Sequence, residues 1–131
     1  EDGLAEDDFA GWKILNKEFG ATKTLVGDDL FVTNEKRLAE GITQNLANAI
    51  LVKPNQIGTL TEAINVIHMA QKANMKVAIS HRSGETCDPF ITDLAVASGA
   101  DYLKAGSMSR GERLSKYNRL MAIDDLLHQE G

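Results

Sequence analysis

The sequence predicts an α/β fold in which one helix precedes four βα units. Three observations carry this: short apolar runs recur along the chain, helical patterns with capping residues fill the gaps, and a charged or titratable residue directly follows each run. The runs cover residues 24–27, 49–52, 77–80 and 102–103. Each is nearly all apolar rather than alternating, which is the pattern of a parallel sheet covered on both faces. Four βα units form either a small open sheet or half of a (β/α)8 barrel, since a closed barrel needs eight.

The elements follow in order. An opening helix covers about residues 7–18. Asn34 caps a helix carrying Leu38, Ile42 and Leu46, and Thr59 with Glu62 makes a capping box ahead of Ala63, Val66, Ile67 and Ala70. Asp88 followed by Pro89 reads as an N-cap with proline at the first helical position, opening a helix through Ile91, Leu94 and Ala95. Ser109 and Glu112 make another capping box, and the last helix runs through Leu114, Tyr117, Leu120, Met121 and Leu127.

The 131 residues, 43% hydrophobic and 25% charged, fit a single domain around one core. A net charge of −5 argues against a nucleic-acid or anionic-membrane binder, because phosphate-tracking surfaces need Lys and Arg in excess. A phosphorylated small molecule needs only a few local cations and stays open. The lone Cys87 excludes an internal disulfide and fits a reducing, cytoplasmic setting. No basic-then-apolar leader opens the sequence and no apolar run approaches ~18 residues, so neither a signal peptide nor a membrane span is expected. The first residue is Glu1 rather than Met, and the sequence there reads as a strand-end loop, which suggests a missing upstream portion.

Asp28, Lys53, His81 and Lys104 directly follow the four runs. In parallel βα folds the ligand-binding and catalytic groups gather at the C-terminal strand ends. Any one of these residues alone reads as a solvated loop residue; four in register make a site pattern. Asp28 with Asp29 suits a hard cation such as Mg2+, and a turn or capping role fits the same spacing equally well. Lys53 is a candidate general base, against the plainer reading of an ordinary salt bridge. Lys104 is placed to hold a substrate carboxylate.

The densest stretch is Ser80-His81-Arg82-Ser83-Gly84-Glu85-Thr86, between a strand and a helix N-terminus. Free N–H groups with an Arg fork suit a phosphate. His68 reads as structural within its helix, and His128 lies near the terminus. Cys87 reads as a small buried or capping residue. Arg110, Arg113, Lys116 and Arg119 follow helical spacing and read as a solvated face or a subunit contact.

At these residues the sequence resembles the enolases, of bacterial type, over essentially its whole length. The matching runs are Glu1-Asp2-Gly3 with Glu6-Asp7-Asp8, Val26 through Asn34, Lys53 with Asn55-Gln56-Ile57-Gly58, Ser80 through Thr86, and Lys104-Ala105-Gly106 with Glu112-Arg113. The resemblance implies the C-terminal half of a (β/α)8 catalytic barrel, covering residues 1–131. It implies a Mg2+-dependent lyase of glycolysis that reversibly dehydrates 2-phosphoglycerate to phosphoenolpyruvate. By that resemblance Glu1 and Asp28 are metal carboxylates and Lys53 is the base that takes the C2 proton. Arg82 and Ser83, with the neighbouring Ser80, belong to the phosphate side, and a second Mg2+ bridges the phosphate. Lys104 faces the substrate carboxylate and His81 the departing hydroxyl. Enolase-superfamily sites are a known case in which a Lys or His base works with Mg2+ on an ene-diolate, so that mechanism is the family's.

Relative to the family pattern, an N-terminal domain and the first half of the barrel are missing. With them go the first metal carboxylate, the glutamates that serve the leaving hydroxyl and the mobile loop over the substrate. Pro54 after the base and Cys87 after Thr86 are minor departures. The chain alone is therefore expected to show no measurable dehydration. Its open sheet edges and uncovered apolar face predict a homodimer or larger assembly. The resemblance further implies a cytoplasmic protein, with a secondary cell-surface or secreted pool as in the family. The alternative is an interaction module of the plasminogen-binding or RNA-decay type, for which no residue signature stands out; the chain ends in Gln129-Glu130-Gly131 without a terminal lysine. A signalling receiver domain shares the acidic pair and the late lysine, but it needs an acceptor Asp where Lys53 stands.

Overall fold

The computed structural model describes residues 1–129. Its elements run α1 (Phe9–Phe19), β1 (Val26–Gly27), α2 (Glu35–Gln44), β2 (Ala49–Val52), α3 (Pro54–Ile57), α4 (Leu60–Lys72), β3 (Lys76–Ser80), α5 (Phe90–Ala97), β4 (Tyr102–Lys104) and α6 (Gly111–Gln129). One helix followed by four βα units is the order expected. The chain divides into two compact units, residues 1–78 and 79–131, with the boundary inside β3.

In the first unit β1, β2 and β3 are neighbours in chain order, and β1 pairs parallel with β2 through Val26 opposite Ala49 and Gly27 opposite Ile50. Every residue of β2 is buried. That both-face burial follows from a wholly apolar strand in a covered parallel sheet. The core gathers Trp12, Phe31, Leu38, Leu46, Ile50, Val66 and Ile67. Phe31 governs the packing around β1. A Cβ on Gly27 would meet its ring at 2.6 Å and one on Gly41 at 2.3 Å, so both positions must be glycine for the ring to lie there.

Local signals set the helix starts. The Asn34 side chain accepts from the backbone N–H groups of Lys36 and Arg37, and Thr59 Oγ1 accepts from the N–H of Glu62, as expected of N-caps. Asp8 caps α1 through the N–H of Gly11. The short α3 was not anticipated; Pro54 at its first turn has the fixed φ that suits that position.

In the second unit the end of β3 neighbours β4, and α5 packs on α6. Two expected caps are corrected here. Helix α5 starts one residue later than the sequence suggested: Pro89 is the cap residue, and Asp88 accepts from the N–H of Phe90. Ser109 does not cap α6; its hydroxyl pairs with that of Ser107, and Glu112 turns to Arg110. The expectation of full burial also fails at β4, where Tyr102 and Lys104 are exposed, because this strand ends the sheet order.

The larger correction is the orientation of α6. Leu114, Leu120, Met121 and Leu127, the apolar residues along this helix, are exposed, while Arg113 and Lys116 are the buried residues. Of the cationic face expected to be solvated or a subunit contact, Arg113 and Lys116 are turned inward because their donors serve the segment after β3, whereas Arg110 is exposed and Arg119 is part-exposed and pairs with Asp93. The expected lack of a terminal lysine at Gln129-Glu130-Gly131 concerns residues 130 and 131, which lie outside the described residues. Among the described residues no helix is long and apolar enough to cross a membrane.

Candidate active site

Asp28 directly follows β1 and Lys53 directly follows β2, so the parallel pairing of these strands sets the two side chains beside each other. Lys53 Nζ lies 2.5 Å from Asp28 Oδ2, with both side chains largely buried. The segment from Asp2 closes over the same strand end. Its backbone N–H donates to the Val26 carbonyl at 2.9 Å, and its two carboxylate oxygens accept from the N–H groups of Asp28 and Asp29, each at 2.8 Å. Asp2 thereby fixes the turn that presents Asp28.

One carboxylate oxygen from each of Asp2, Asp28 and Asp29 lies within 4.8 Å of the others. Asp28 Oδ1 is buried and has no hydrogen-bond partner among the described residues. A buried acceptor left unmatched is costly, and here it sits among carboxylates whose charge exceeds that of Lys53. Hard oxygen donors with surplus negative charge suit a divalent cation such as Mg2+, so the residues present fit that ion. Glu1, expected as a metal carboxylate, is exposed next to Asp2 and is not one of the three grouped residues.

The loop after Asp28 holds Lys53 by its backbone. Val32 (φ 45°) and Thr33 (φ 55°) are both left-handed, a conformation that β-branched residues rarely adopt. The buried Thr33 hydroxyl accepts from the N–H of Lys53 at 3.0 Å and donates to Gln56 Oε1 at 3.1 Å. The strain is thus kept where it orders the Lys53 backbone. Neither Asp2 nor Thr33 was singled out from the sequence. The run Val32-Thr33-Asn34, a β-branched pair against a helix cap, carried the only hint.

In the second unit His81 follows β3 directly and Lys104 closes β4, and the His81 N–H donates to the Lys104 carbonyl at 2.9 Å. Ser80 is buried, its hydroxyl donating to the His81 carbonyl at 2.9 Å. Arg82 is half-buried and Ser83 exposed. Their carbonyls accept from Arg113 at 3.0 and 3.1 Å, and Arg113 Nη1 also meets His81 Nδ1. Glu85 accepts from the Arg82 N–H at 3.0 Å and pairs with the fully buried Lys116 at 2.8 Å. Lys116 also donates to the Thr86 carbonyl.

Two titrations respond to this packing. Burial, then the Arg113 guanidinium, then Lys104 and Lys116 hold the His81 imidazole below its ordinary value, against the opposing pull of Glu85. Burial pushes the Glu85 carboxyl up, but the Lys116 hydrogen bond, the Arg82 N–H and the charges of Lys116 and His81 together bring it below its ordinary range. Cys87, expected to be buried or capping, is exposed. His68 is exposed on α4, and His128 is exposed and turned to Asp124.

Parallel strands alternating with helices, with charged or titratable groups at the strand ends within each unit, define an α/β protein of the parallel βα class. Comparison with known proteins gives the family. A family model described as "Enolase, C-terminal TIM barrel domain" matches residues 1–131, and the chain belongs to the enolase family. It is 58% identical over 125 residues to Enolase 2 of Pseudomonas syringae pv. syringae (strain B728a), which is 95% of this chain and 29% of that protein. The figures are the same for Enolase 2 of Pseudomonas syringae pv. tomato (strain ATCC BAA-871 / DC3000). Enolase of Ehrlichia ruminantium (strain Gardel) is 57% identical over 128 residues, 98% of this chain and 30% of its own length. The chain therefore spans about three tenths of the curated relatives it matches.

Proposed function

We propose that residues 1–131 form the C-terminal part of an enolase catalytic barrel, which carries the base and part of the metal and phosphate sites for the reversible dehydration of 2-phosphoglycerate to phosphoenolpyruvate. The observation that carries this reading is the buried Lys53–Asp28 pair with an unmatched Asp28 oxygen beside Asp2 and Asp29. Asp28, with Glu1 from the same segment as Asp2, would hold Mg2+, which supplies positive charge where the substrate carboxylate gains negative charge. Lys53 takes the C2 proton, and its free amine, rather than the ammonium paired with Asp28, is the form that accepts it. Lys104 holds the substrate carboxylate and His81 faces the leaving hydroxyl. Ser80, Arg82 and Ser83 belong to the phosphate side, where Arg82 offers a fork suited to bidentate contact.

The protein acts in the cytoplasm as a homodimer or larger assembly. The exposed Leu120, Met121, Leu126 and Leu127 on α6 support the association, since an exposed apolar set of this kind marks an interaction surface.

Calorimetric titration of the purified chain with Mg2+, then with phosphoenolpyruvate, tests the site. Asp28→Asn is expected to weaken Mg2+ binding by roughly tenfold or more, and Lys104→Ala to weaken phosphoenolpyruvate binding while sparing Mg2+. Equal Mg2+ affinity in Asp28→Asn and the parent chain overturns the assignment. The chain alone is expected to show no dehydration of 2-phosphoglycerate, and substantial turnover by the pure chain would contradict that.

A further inference from the structure

We propose that Arg113 is the positioning residue of His81, fixing the imidazole as the neutral tautomer with its proton on Nε2, so that His81 meets its ligand as a hydrogen-bond donor. A guanidinium offers donors only, so the atom that receives Arg113 Nη1 must offer a lone pair. That atom is His81 Nδ1. An imidazolium carries a hydrogen there, as does the Nδ1–H tautomer, and either would set N–H against N–H. The remaining form has its proton on Nε2.

The contact is built rather than incidental. Arg113 is buried; Nη1 also donates to the Arg82 carbonyl at 3.0 Å, and Nη2 donates to the Ser83 carbonyl at 3.1 Å. The backbone around His81 thus fixes the guanidinium before it reaches the ring. Gly106 closes the other side. A Cβ there would stand 3.0 Å from Arg113 Cδ and 3.2 Å from His81 Cε1, and its φ of 84° favours glycine independently. Tyr117 from the same helix holds the Gly106 carbonyl. The charged groups acting on the ring are Arg113, Lys104 and Lys116 on one side of the balance and Glu85 on the other, and cations predominate. Burial and this excess of positive charge both favour the uncharged ring.

The ligand that His81 meets rests on the enolase reading; the tautomer does not. A ring locked this way donates to an oxygen but cannot take a proton from it at Nε2. In the proposed reaction it would therefore orient the leaving hydroxyl rather than act as a base toward it.

Long-range 1H–15N spectra of the 15N-histidine-labelled chain, recorded near neutral pH, test the assignment. His81→Gln identifies the ring among the three histidines. The expected result is a single Nε2–H pattern for His81 that gives way to a mixture of tautomers in Arg113→Met. In that variant the ring should also protonate at higher pH than in the parent chain. Arg113→Lys, which keeps a donor and the charge, should restore the Nε2–H pattern. An Nδ1–H tautomer or an imidazolium in the parent chain overturns the proposal, and this holds even where Arg113→Met fails to fold. A His81 pattern unchanged in a folded Arg113→Met does the same. Phosphoenolpyruvate titration is a separate readout: an Nε2–H ring in a chain that does not bind phosphoenolpyruvate supports the positioning role and sinks the enolase reading.

Discussion

Thr33 is the residue on which the Lys53 backbone depends. Its hydroxyl is the partner of the Lys53 N–H, and its left-handed φ brings that hydroxyl within reach. Thr33→Val keeps the shape and the β-branch but removes the oxygen. It leaves the Lys53 N–H and Gln56 Oε1 without that partner, at a cost of about 1–3 kcal/mol. The midpoint of urea unfolding should fall accordingly, and binding of Mg2+ should weaken less than in Asp28→Asn because every carboxylate is retained. A variant as stable as the parent would mean that water replaces the hydroxyl and that the left-handed turn serves something other than Lys53. Asp2 works by the same logic on the other side of β1. Its two oxygens each accept from a backbone N–H, whereas the buried Asp28 Oδ1 has no hydrogen-bond partner among the described residues.

At the scale of elements, α6 acts as a bolt. Lys116 has no exposed side-chain surface, and it joins Glu85 and the Thr86 carbonyl, while its own carbonyl accepts from Thr92 on α5. Lys116→Met removes one member of a buried pair and leaves Glu85 uncompensated, which costs about 3 kcal/mol or more. Adding Glu85→Gln to Lys116→Met should recover part of the loss, because the stranded charge disappears; purely additive losses in the double variant would argue against the pairing. The same helix shows where sequence reading stopped. The helix caps Asn34 and Thr59, and the placement of Asp28, Lys53, His81 and Lys104 at strand ends, follow from neighbours within a few residues, so they were legible. The burial of α6 depends on a loop some thirty residues away in sequence, and its apolar pattern pointed to the opposite face. The usable signal was Glu85, the one acid near His81 and Arg82, set against a helix whose first half carries Arg113, Lys116 and Arg119 at helical spacing. Asp88 and Pro89 were read correctly as a helix start but one residue early, a shift that end fraying and cap geometry commonly produce.

Across the molecule, the two compact units have interiors of different chemistry. Residues 1–78 bury a large aromatic and aliphatic core around Trp12, Phe31 and β2 together with Asn16, Asp28 and Thr33, whereas residues 79–131 bury Ser80, Thr92 and the two cations Arg113 and Lys116 beside a smaller apolar set. Polar interiors make stability sensitive to protonation. His81 has a folded value below its ordinary 6.5, so the unfolded chain binds more protons in the window beneath 6.5, and stability present above that pH is lost as pH falls through it. Glu85, lowered from 4.5, adds a second loss of the same sign further down. Asp93, lowered from 3.8 chiefly by the Arg119 hydrogen bond, adds a third that surface screening keeps small. All three groups lie in residues 79–131. Hydrogen exchange followed by mass spectrometry, corrected for intrinsic rates, should therefore show protection in 79–131 falling between about pH 7 and about pH 4. Residues 1–78 serve as the internal reference. His81→Gln should remove the upper part of that loss and leave the lower part, since Glu85 keeps its partners. Protection in 79–131 that rises on acidification, or that follows 1–78 at every pH, would show that neither the imidazole nor the carboxylate is linked to folding of this unit.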